Sequence, residues 1–181
     1  NTMIWSLSLA EKKGFAVSEK LGSWIDWSVE ESLKKNEKGK RVGRLNKEGV
    51  AQIIFADLKI ENSQREKLLD LLALDQKNDG TWDAGGQLPA QKRPVKETSL
   101  VSSSWIALSA RKKVSQASIP TIHIQKEGQS IEWYVVNLLL SSVNGDEKVN
   151  SFTNKLKEFQ NSDGGWGWLV NEPSDALGTG M

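Results

Sequence analysis

The chain has 23 aspartates and glutamates and one histidine that could act as a catalytic acid or base, but few of them stand out by position. Asp175 and Glu97 are the candidates, because each carboxylate stands at the start of a predicted helix and could reach the interior of a helical array. The alternative is that each carboxylate caps its own helix, where negative charge is favoured anyway. His123, the single histidine, lies between two isoleucines, and a structural role is the favoured interpretation.

Metal and redox sites have little support in the sequence. The chain has no cysteine, which excludes disulfides and thiolate metal sites. Asp75, Asn78 and Asp79 are close together, but their spacing does not match a calcium-binding loop and its distal glutamate. We therefore expect no metal and no cofactor.

A seven-residue segment occurs twice, 84 positions apart: Gln76-Lys77-Asn78-Asp79-Gly80-Thr81-Trp82 and Gln160-Asn161-Ser162-Asp163-Gly164-Gly165-Trp166. Glutamine offers both a donor and an acceptor to backbone groups at helix ends, and glycine permits positive φ there. Tryptophan buries a large area and keeps one N–H for a partner. We therefore predict a structural role for Gln76, Asp79, Gly80, Trp82, Gln160, Asp163, Gly164 and Trp166.

Helices are predicted on both sides of each copy, an amphipathic one before it and a more uniformly apolar one after it. Apolar residues at spacings of three and four favour helices over 2–12, 47–60 and 97–112, and Ser63 with Glu66 has the spacing of a capping box. Ile131–Leu140 is apolar on almost every side, which favours a buried helix, with a strand as the alternative. Residues 115–128 are open between a helix and an extended segment.

Composition is that of one globular domain over residues 1–181. The chain is 38% hydrophobic and 26% charged, and its net charge of +1 gives no reason to expect a nucleic-acid partner. No apolar run approaches the length of about 18 residues that a membrane span requires. The basic segment 34–44 is interpreted as a solvated loop, with a phosphate-binding patch as the alternative.

The order of the predicted elements points to an all-α fold. Amphipathic helices before the repeated segment alternate with more uniformly apolar helices after it, as in an α/α toroid whose inner ring is buried on both sides. Half of the 84-residue separation is about 42 residues, a suitable length for one hairpin. A full ring would need more than this chain, so we expect a fragment of a longer toroid, completed by further repeats or by a second chain.

The pattern Gln-x-x-Asp-Gly-x-Trp after an amphipathic helix resembles the QW motif of the terpenoid cyclase and protein prenyltransferase superfamily, which includes the squalene–hopene cyclases. The resemblance covers residues 62–112 and 146–181. It implies that the glutamine amide ties helix ends together and that the tryptophan stacks in the turn.

The chemistries of that superfamily do not carry over to this chain. Its class II cyclases protonate their substrate with an Asp-x-Asp-Asp motif, and none of the nine aspartates here has that spacing. Its prenyltransferases hold zinc with aspartate, cysteine and histidine, and its thioester members also need a cysteine. The resemblance therefore implies the scaffold without the known catalytic groups.

Three functions are consistent with this pattern. The first is a repeat domain that binds an apolar, isoprenoid-like ligand or a protein partner. The second is a part of an active terpene cyclase whose acid lies outside these residues. The third is a carbohydrate-acting toroid, for which the tryptophan content and the Gly/Pro-containing loop 83–96 are the support. Trp168, just past the second repeated segment, is the tryptophan expected to be exposed and to contact a ligand.

Overall fold

The computed structural model describes residues 2–55, 60–85, 93–110 and 127–181, and these segments contain eight α-helices and no β-strand. The helices are α1 Thr2–Lys12, α2 Leu21–Leu33, α3 Lys47–Phe55, α4 Asn62–Ala73, α5 Val95–Ala110, α6 Ile131–Asn144, α7 Val149–Glu158 and α8 Ala176–Thr179. A 3-10 helix, Val42–Leu45, precedes α3. The all-α prediction is therefore confirmed for the described residues.

The longer helices form two rows. In the first row α1 packs against α3, α3 against α5, and α5 against α6. Helices α2 and α4 form the second row, because α2 contacts α1, α3 and α4 while α4 contacts α3 and α5. Helix α7 packs against α6. Helix α5, which follows the first repeated segment, thus lies in the first row, and α4, which precedes that segment, lies in the second.

Helix α5 contributes to two apolar cores through opposite faces. Ile106, Ala107 and Ala110 join a core built from buried residues of α1 to α4. Val101, Trp105 and Leu108 join a second core shared with α6 and α7, against which Trp5 of α1 and Phe55 of α3 also pack. Among the described residues, the second core includes none from α2 or α4. It therefore involves helices of the first row together with α7, and not those of the second row.

Both copies of the repeated segment form the same turn. The side-chain amide of Gln76 donates to the carbonyl of Gly80 at 3.1 Å, and that of Gln160 donates to the carbonyl of Gly164 at 2.7 Å. Both glycines have positive φ, 80° and 84°, a conformation that glycine adopts without steric cost. In each copy the aspartate accepts the N–H two residues later, as Asp79 does from Thr81.

The two tryptophans also make matching bonds. The indole N–H of Trp82 donates to the carbonyl of Leu72 at 2.8 Å, in the last turn of α4. The indole N–H of Trp166 donates to Leu156 at 2.7 Å, in the last turn of α7. Carbonyls at a helix end lack partners within the helix, so each tryptophan fastens the turn to the helix before it. The partners of the glutamine amide, the aspartate and the indole N–H in the second copy each lie 84 positions after their counterparts, so the repeat is geometric as well as sequential.

The connection to the following helix differs in length between the copies. The backbone N–H of Trp82 donates to the hydroxyl of Ser103, 21 positions later, at 2.9 Å. The backbone N–H of Trp166 donates to the hydroxyl of Thr179, 13 positions later, at 3.0 Å. The first connection is therefore eight residues longer. Equating Ser103 with Thr179 means that Glu97 and Asp175 do not occupy equivalent positions.

Helix boundaries differ from the sequence interpretation at several places. Ile131–Leu140 lies within α6, so the strand alternative is wrong. Helix α4 begins at Asn62 without a side-chain cap, so Ser63 and Glu66 do not form the expected capping box. The helix predicted over 47–60 is described only through Phe55, and most of 115–128 lies outside the described residues.

None of the described helices combines the length and the apolar character needed to cross a bilayer.

Alanine substitution of a turn glycine should lower the free energy of unfolding, whereas alanine substitution of a helical glycine should raise it. Gly164→Ala should destabilise the fold by about 1–2 kcal/mol, because an L-residue at this φ is strained although the space for a Cβ is open. Gly22→Ala in α2, where the space is also open, should stabilise by about 0.5–1 kcal/mol. Urea unfolding of both variants tests this pair, and equal effects would contradict the assigned turn.

Candidate functional site

Glu97 lies in the first turn of α5 and is buried, with 6% of its surface exposed. Its carboxylate accepts the backbone N–H of Gln129 and the backbone N–H and hydroxyl of Ser130, the latter at 2.5 Å. Ser130 is the N-cap of α6, and its hydroxyl accepts the N–H of Trp133. The interpretation that Glu97 caps its own helix is therefore wrong. It holds the start of the next helix in the row.

Asp175 caps its own helix, as the alternative interpretation of this residue proposed. Its carboxylate accepts the backbone N–H of Leu177 at 2.8 Å and that of Gly178 at 2.7 Å. The residue is exposed at the N-terminus of α8. The structure thus does not bring Asp175 and Glu97 into equivalent environments.

Trp168 is buried, with 5% of its surface exposed, so the expectation of an exposed ring is wrong. The reason is backbone pairing with the segment at the start of α6. The carbonyl of Trp168 accepts the N–H of Ile131 at 3.0 Å, and the N–H of Val170 donates to Gln129 at 2.9 Å. The segment after the second turn is drawn onto the start of α6, and the indole is covered there.

His123 lies outside the described residues. Within the part of the chain that the structure describes, no group of three or more histidine, cysteine, aspartate or glutamate residues is placed to hold a metal ion.

The most concentrated buried polar group is one that the sequence did not indicate. We call it the buried ionic cluster, and its members are Glu48, Arg93, Ser102, Trp105 and Glu132. Glu48 lies in the first turn of α3 and Glu132 in the first turn of α6, while Ser102 and Trp105 lie on α5 between them. Arg93 comes from the longer connection before α5.

The guanidinium of Arg93 bridges the two carboxylates with paired hydrogen bonds. Its Nη1 and Nη2 atoms donate to the two oxygens of Glu48 at 2.6 and 2.7 Å. Its Nε and Nη2 atoms donate to the two oxygens of Glu132, both at 2.5 Å. Ser102 donates to Glu48, and the indole N–H of Trp105 donates to Glu132 at 2.8 Å. All four carboxylate oxygens therefore have protein donors.

Burial and pairing act on Arg93 in opposite directions. Its side chain is 2% exposed, and this burial disfavours the charged form. The hydrogen bonds to Glu48 and Glu132 outweigh burial and raise the pKa of Arg93 above its usual value. The cluster carries a formal charge of −1, and both carboxylates lie at helix N-termini, where the helix dipole favours negative charge.

The buried ionic cluster is built to hold helices together. Its two carboxylates are 7% and 5% exposed and fully bonded, so neither is positioned to give a proton to a bound molecule. Each glutamate belongs to a different helix of the first row, and Arg93 fixes their separation. We infer that the cluster sets the spacing of α3, α5 and α6.

Beside the cluster lies a group of three rings that we call the aromatic trio: Trp5, Phe55 and Trp105. Trp5 stacks on Phe55 with ring centroids 5.5 Å apart, and Trp105 meets both rings edge-on, at 5.4 and 6.0 Å. Trp5 and Phe55 are only half-buried, whereas Trp105 is buried. The trio comes from α1, α3 and α5, three neighbouring helices of the first row.

Neither group stood out in the sequence, and the reason is the distance along the chain. Arg93 is 45 positions from Glu48 and 39 from Glu132, so no local pattern links them. The one available signal was the presence of a carboxylate in the first turn of α3, α5 and α6. In a helical array such first turns lie near one another, and a basic residue has to balance the buried negative charge of their carboxylates.

Comparisons with protein-family models, with curated proteins and with solved structures found no match to this chain.

Proposed function

We propose that this chain is a repeat domain of the terpenoid-cyclase and prenyltransferase type, part of an α/α toroid, that binds an apolar, isoprenoid-like ligand without transforming it. Support for the scaffold comes from the two turns with the same glutamine, glycine and tryptophan bonds. Further support comes from the ordered contacts from α1 through α3 and α5 to α6, which are those expected for neighbouring inner helices.

The observation that carries the ligand proposal is the aromatic trio. Half-buried Trp5 and Phe55 offer ring surface to a neighbouring molecule, and apolar carbon on an aromatic face gains free energy by leaving water. The polar edge of Trp105 is already occupied, since its N–H donates to Glu132. The trio therefore offers carbon and π surface, which suits a hydrocarbon chain better than a polar ligand.

Binding without turnover is the favoured activity because the three buried glutamates and Asp175 already serve structural contacts. Glu48 and Glu132 are paired with Arg93, Glu97 is bonded to the start of α6, and Asp175 caps α8. The sequence also lacks the Asp-x-Asp-Asp pattern and the cysteine that the superfamily's known chemistries use.

Equilibrium dialysis with labelled farnesol tests the proposal. The double variant Trp5→Ala, Phe55→Ala should bind farnesol about tenfold or more weakly, since it removes apolar ring surface worth roughly 25 cal/mol for each Å² that the ligand buries. Trp27→Ala is the matched control, because Trp27 is 63% exposed on α2, in the other row. Unchanged affinity in the control and lost affinity in the double variant are the expected results.

Three outcomes would contradict the proposal. Equal affinities for the double variant and the control would remove the aromatic trio as the binding surface. Formation of a cyclised or dephosphorylated product from an isoprenoid diphosphate would make the chain an enzyme. If the wild-type chain binds neither farnesol nor squalene, a protein partner becomes the better assignment for the helical array.

A further inference from the structure

Positive charge is concentrated in one short stretch of the chain. Residues 34–47 contain five lysines, two arginines and one glutamate, a formal net charge of +6, whereas the whole chain carries +1. The rest of the chain therefore carries −5. Such segregation of charge favours a surface that binds a negatively charged partner over a loop that is only solvated.

This stretch has a defined conformation. The side-chain oxygen of Asn36 accepts the backbone N–H of Lys38 at 3.0 Å and that of Lys40 at 2.9 Å. The backbone of Asn36 donates to Lys40 at 2.8 Å, and the backbone of Val42 donates to Lys34 at 2.8 Å. Lys35, Lys38 and Lys40 are exposed on the turn that results. The lysines thus project from a hydrogen-bonded turn and not from an irregular coil.

Acidic neighbours offset only part of this charge. Glu31 pairs with Lys34, and Asp75 pairs with Arg44 and, at 3.8 Å, with Lys47. The hydrogen bond from Arg44, with smaller effects of Lys47 and Lys40, holds the pKa of Asp75 below its usual value. One carboxylate thus stands among three cations, and a positive surface remains.

Exposed apolar side chains lie beside the same cations. Leu45 is 59% exposed and Leu74 is 67% exposed, and they are the chain neighbours of Arg44 and Asp75, whose side chains are hydrogen-bonded. Val42, 37% exposed, follows the turn directly. We call Lys35, Lys38, Lys40, Val42, Leu45 and Leu74 the basic–apolar patch.

We propose that the basic–apolar patch docks the protein onto an anionic membrane surface. Lysines near an anionic leaflet are attracted by its surface potential, and adjacent leucines gain free energy by entering the boundary between headgroups and acyl chains. A nucleic acid is the less suitable occupant, because the patch has no aromatic side chain for base stacking and its exposed cations are lysines. This proposal does not depend on the proposed ligand, since it uses neither the aromatic trio nor the first row of helices.

Co-sedimentation with phosphatidylcholine vesicles that contain about one-third phosphatidylserine tests the proposal. The wild-type chain should bind these vesicles, should bind pure phosphatidylcholine far less, and should lose binding as salt screens the charges. The triple variant Lys35→Gln, Lys38→Gln, Lys40→Gln should bind about 100-fold more weakly, at about fivefold for each lysine. The double variant Leu45→Ser, Leu74→Ser should bind more weakly but keep the salt dependence.

The matched control is Lys12→Gln, Lys13→Gln, Lys20→Gln, which changes the net charge by the same amount. These lysines are exposed at the far end of α2 and the end of α1, about 20 Å from the patch if measured along α2. Wild-type-like binding by this control is expected. The proposal is overturned if the wild-type chain ignores the anionic vesicles at low salt, or if the two triple variants lose binding equally. Retention on single-stranded RNA without vesicle binding would also overturn it.

Discussion

Replacing Arg93 by methionine should lower the free energy of unfolding by about 3–5 kcal/mol. The substitution leaves the carboxylates of Glu48 and Glu132 buried side by side without their counter-ion, while methionine fills much of the space. Ser102 and Trp105 still donate one bond to each carboxylate, but neutral donors do not balance two charges. Urea unfolding followed by circular dichroism measures the loss.

The controls for this prediction separate charge from shape. Arg44→Met breaks an ion pair with Asp75 at a half-exposed site, and its effect should be much smaller. Adding Glu48→Gln and Glu132→Gln to Arg93→Met should recover part of the stability, since the whole triad is then neutral. Equal losses for Arg93→Met and Arg44→Met would show that the buried ionic cluster does not fix the first row.

Trp82→Ala should destabilise the fold by about 3–5 kcal/mol. Trp82 is fully buried in the core shared by α1 to α5, and its loss creates a cavity there in addition to removing the bond to Leu72. Trp166→Ala is the matched variant in the second copy. Trp166 makes the same bond but is half-buried, so its loss should be about half as large. Thermal and urea unfolding of the two variants give the comparison.

The less drastic variant Trp82→Phe tests the hydrogen bond by itself. It keeps most of the apolar ring and removes the N–H that donates to Leu72. The free energy of unfolding should fall by about 1 kcal/mol for the hydrogen bond, with a further cost because the phenylalanine ring is smaller. A larger loss for Trp166→Ala than for Trp82→Ala would contradict the account, because it would mean that burial does not decide what the motif contributes.

The repeated turn could be predicted from the sequence because its physics is local. Gln76, Gly80 and Trp82 act within ten residues of one another, and each residue type has few conformational alternatives in that role. Periodicity likewise located the helices, since apolar spacing reflects burial directly. Helix starts were less predictable: α5 begins at Val95, right after Pro94, so Glu97 lies inside the helix and reaches its neighbour.

The buried ionic cluster and the aromatic trio could not be predicted, because they depend on how helices are placed beside one another. The ring of Trp5 meets Trp105 across 100 positions of chain, and nothing in either segment specifies that contact. The prediction that Trp168 is exposed was wrong for a related reason, because its burial is set by backbone pairing with the start of α6. Side chains whose partners lie on another helix carry no local signature.

Native mass spectrometry of the chain after exposure to a total lipid extract tests the central claim most directly. The account predicts a retained mass of a polyisoprenoid on the wild-type chain and on Trp27→Ala, and its loss from Trp5→Ala, Phe55→Ala. A ligand-free mass for the wild-type chain, or a retained mass that the double variant keeps, would contradict the assignment of an apolar ligand to the aromatic trio.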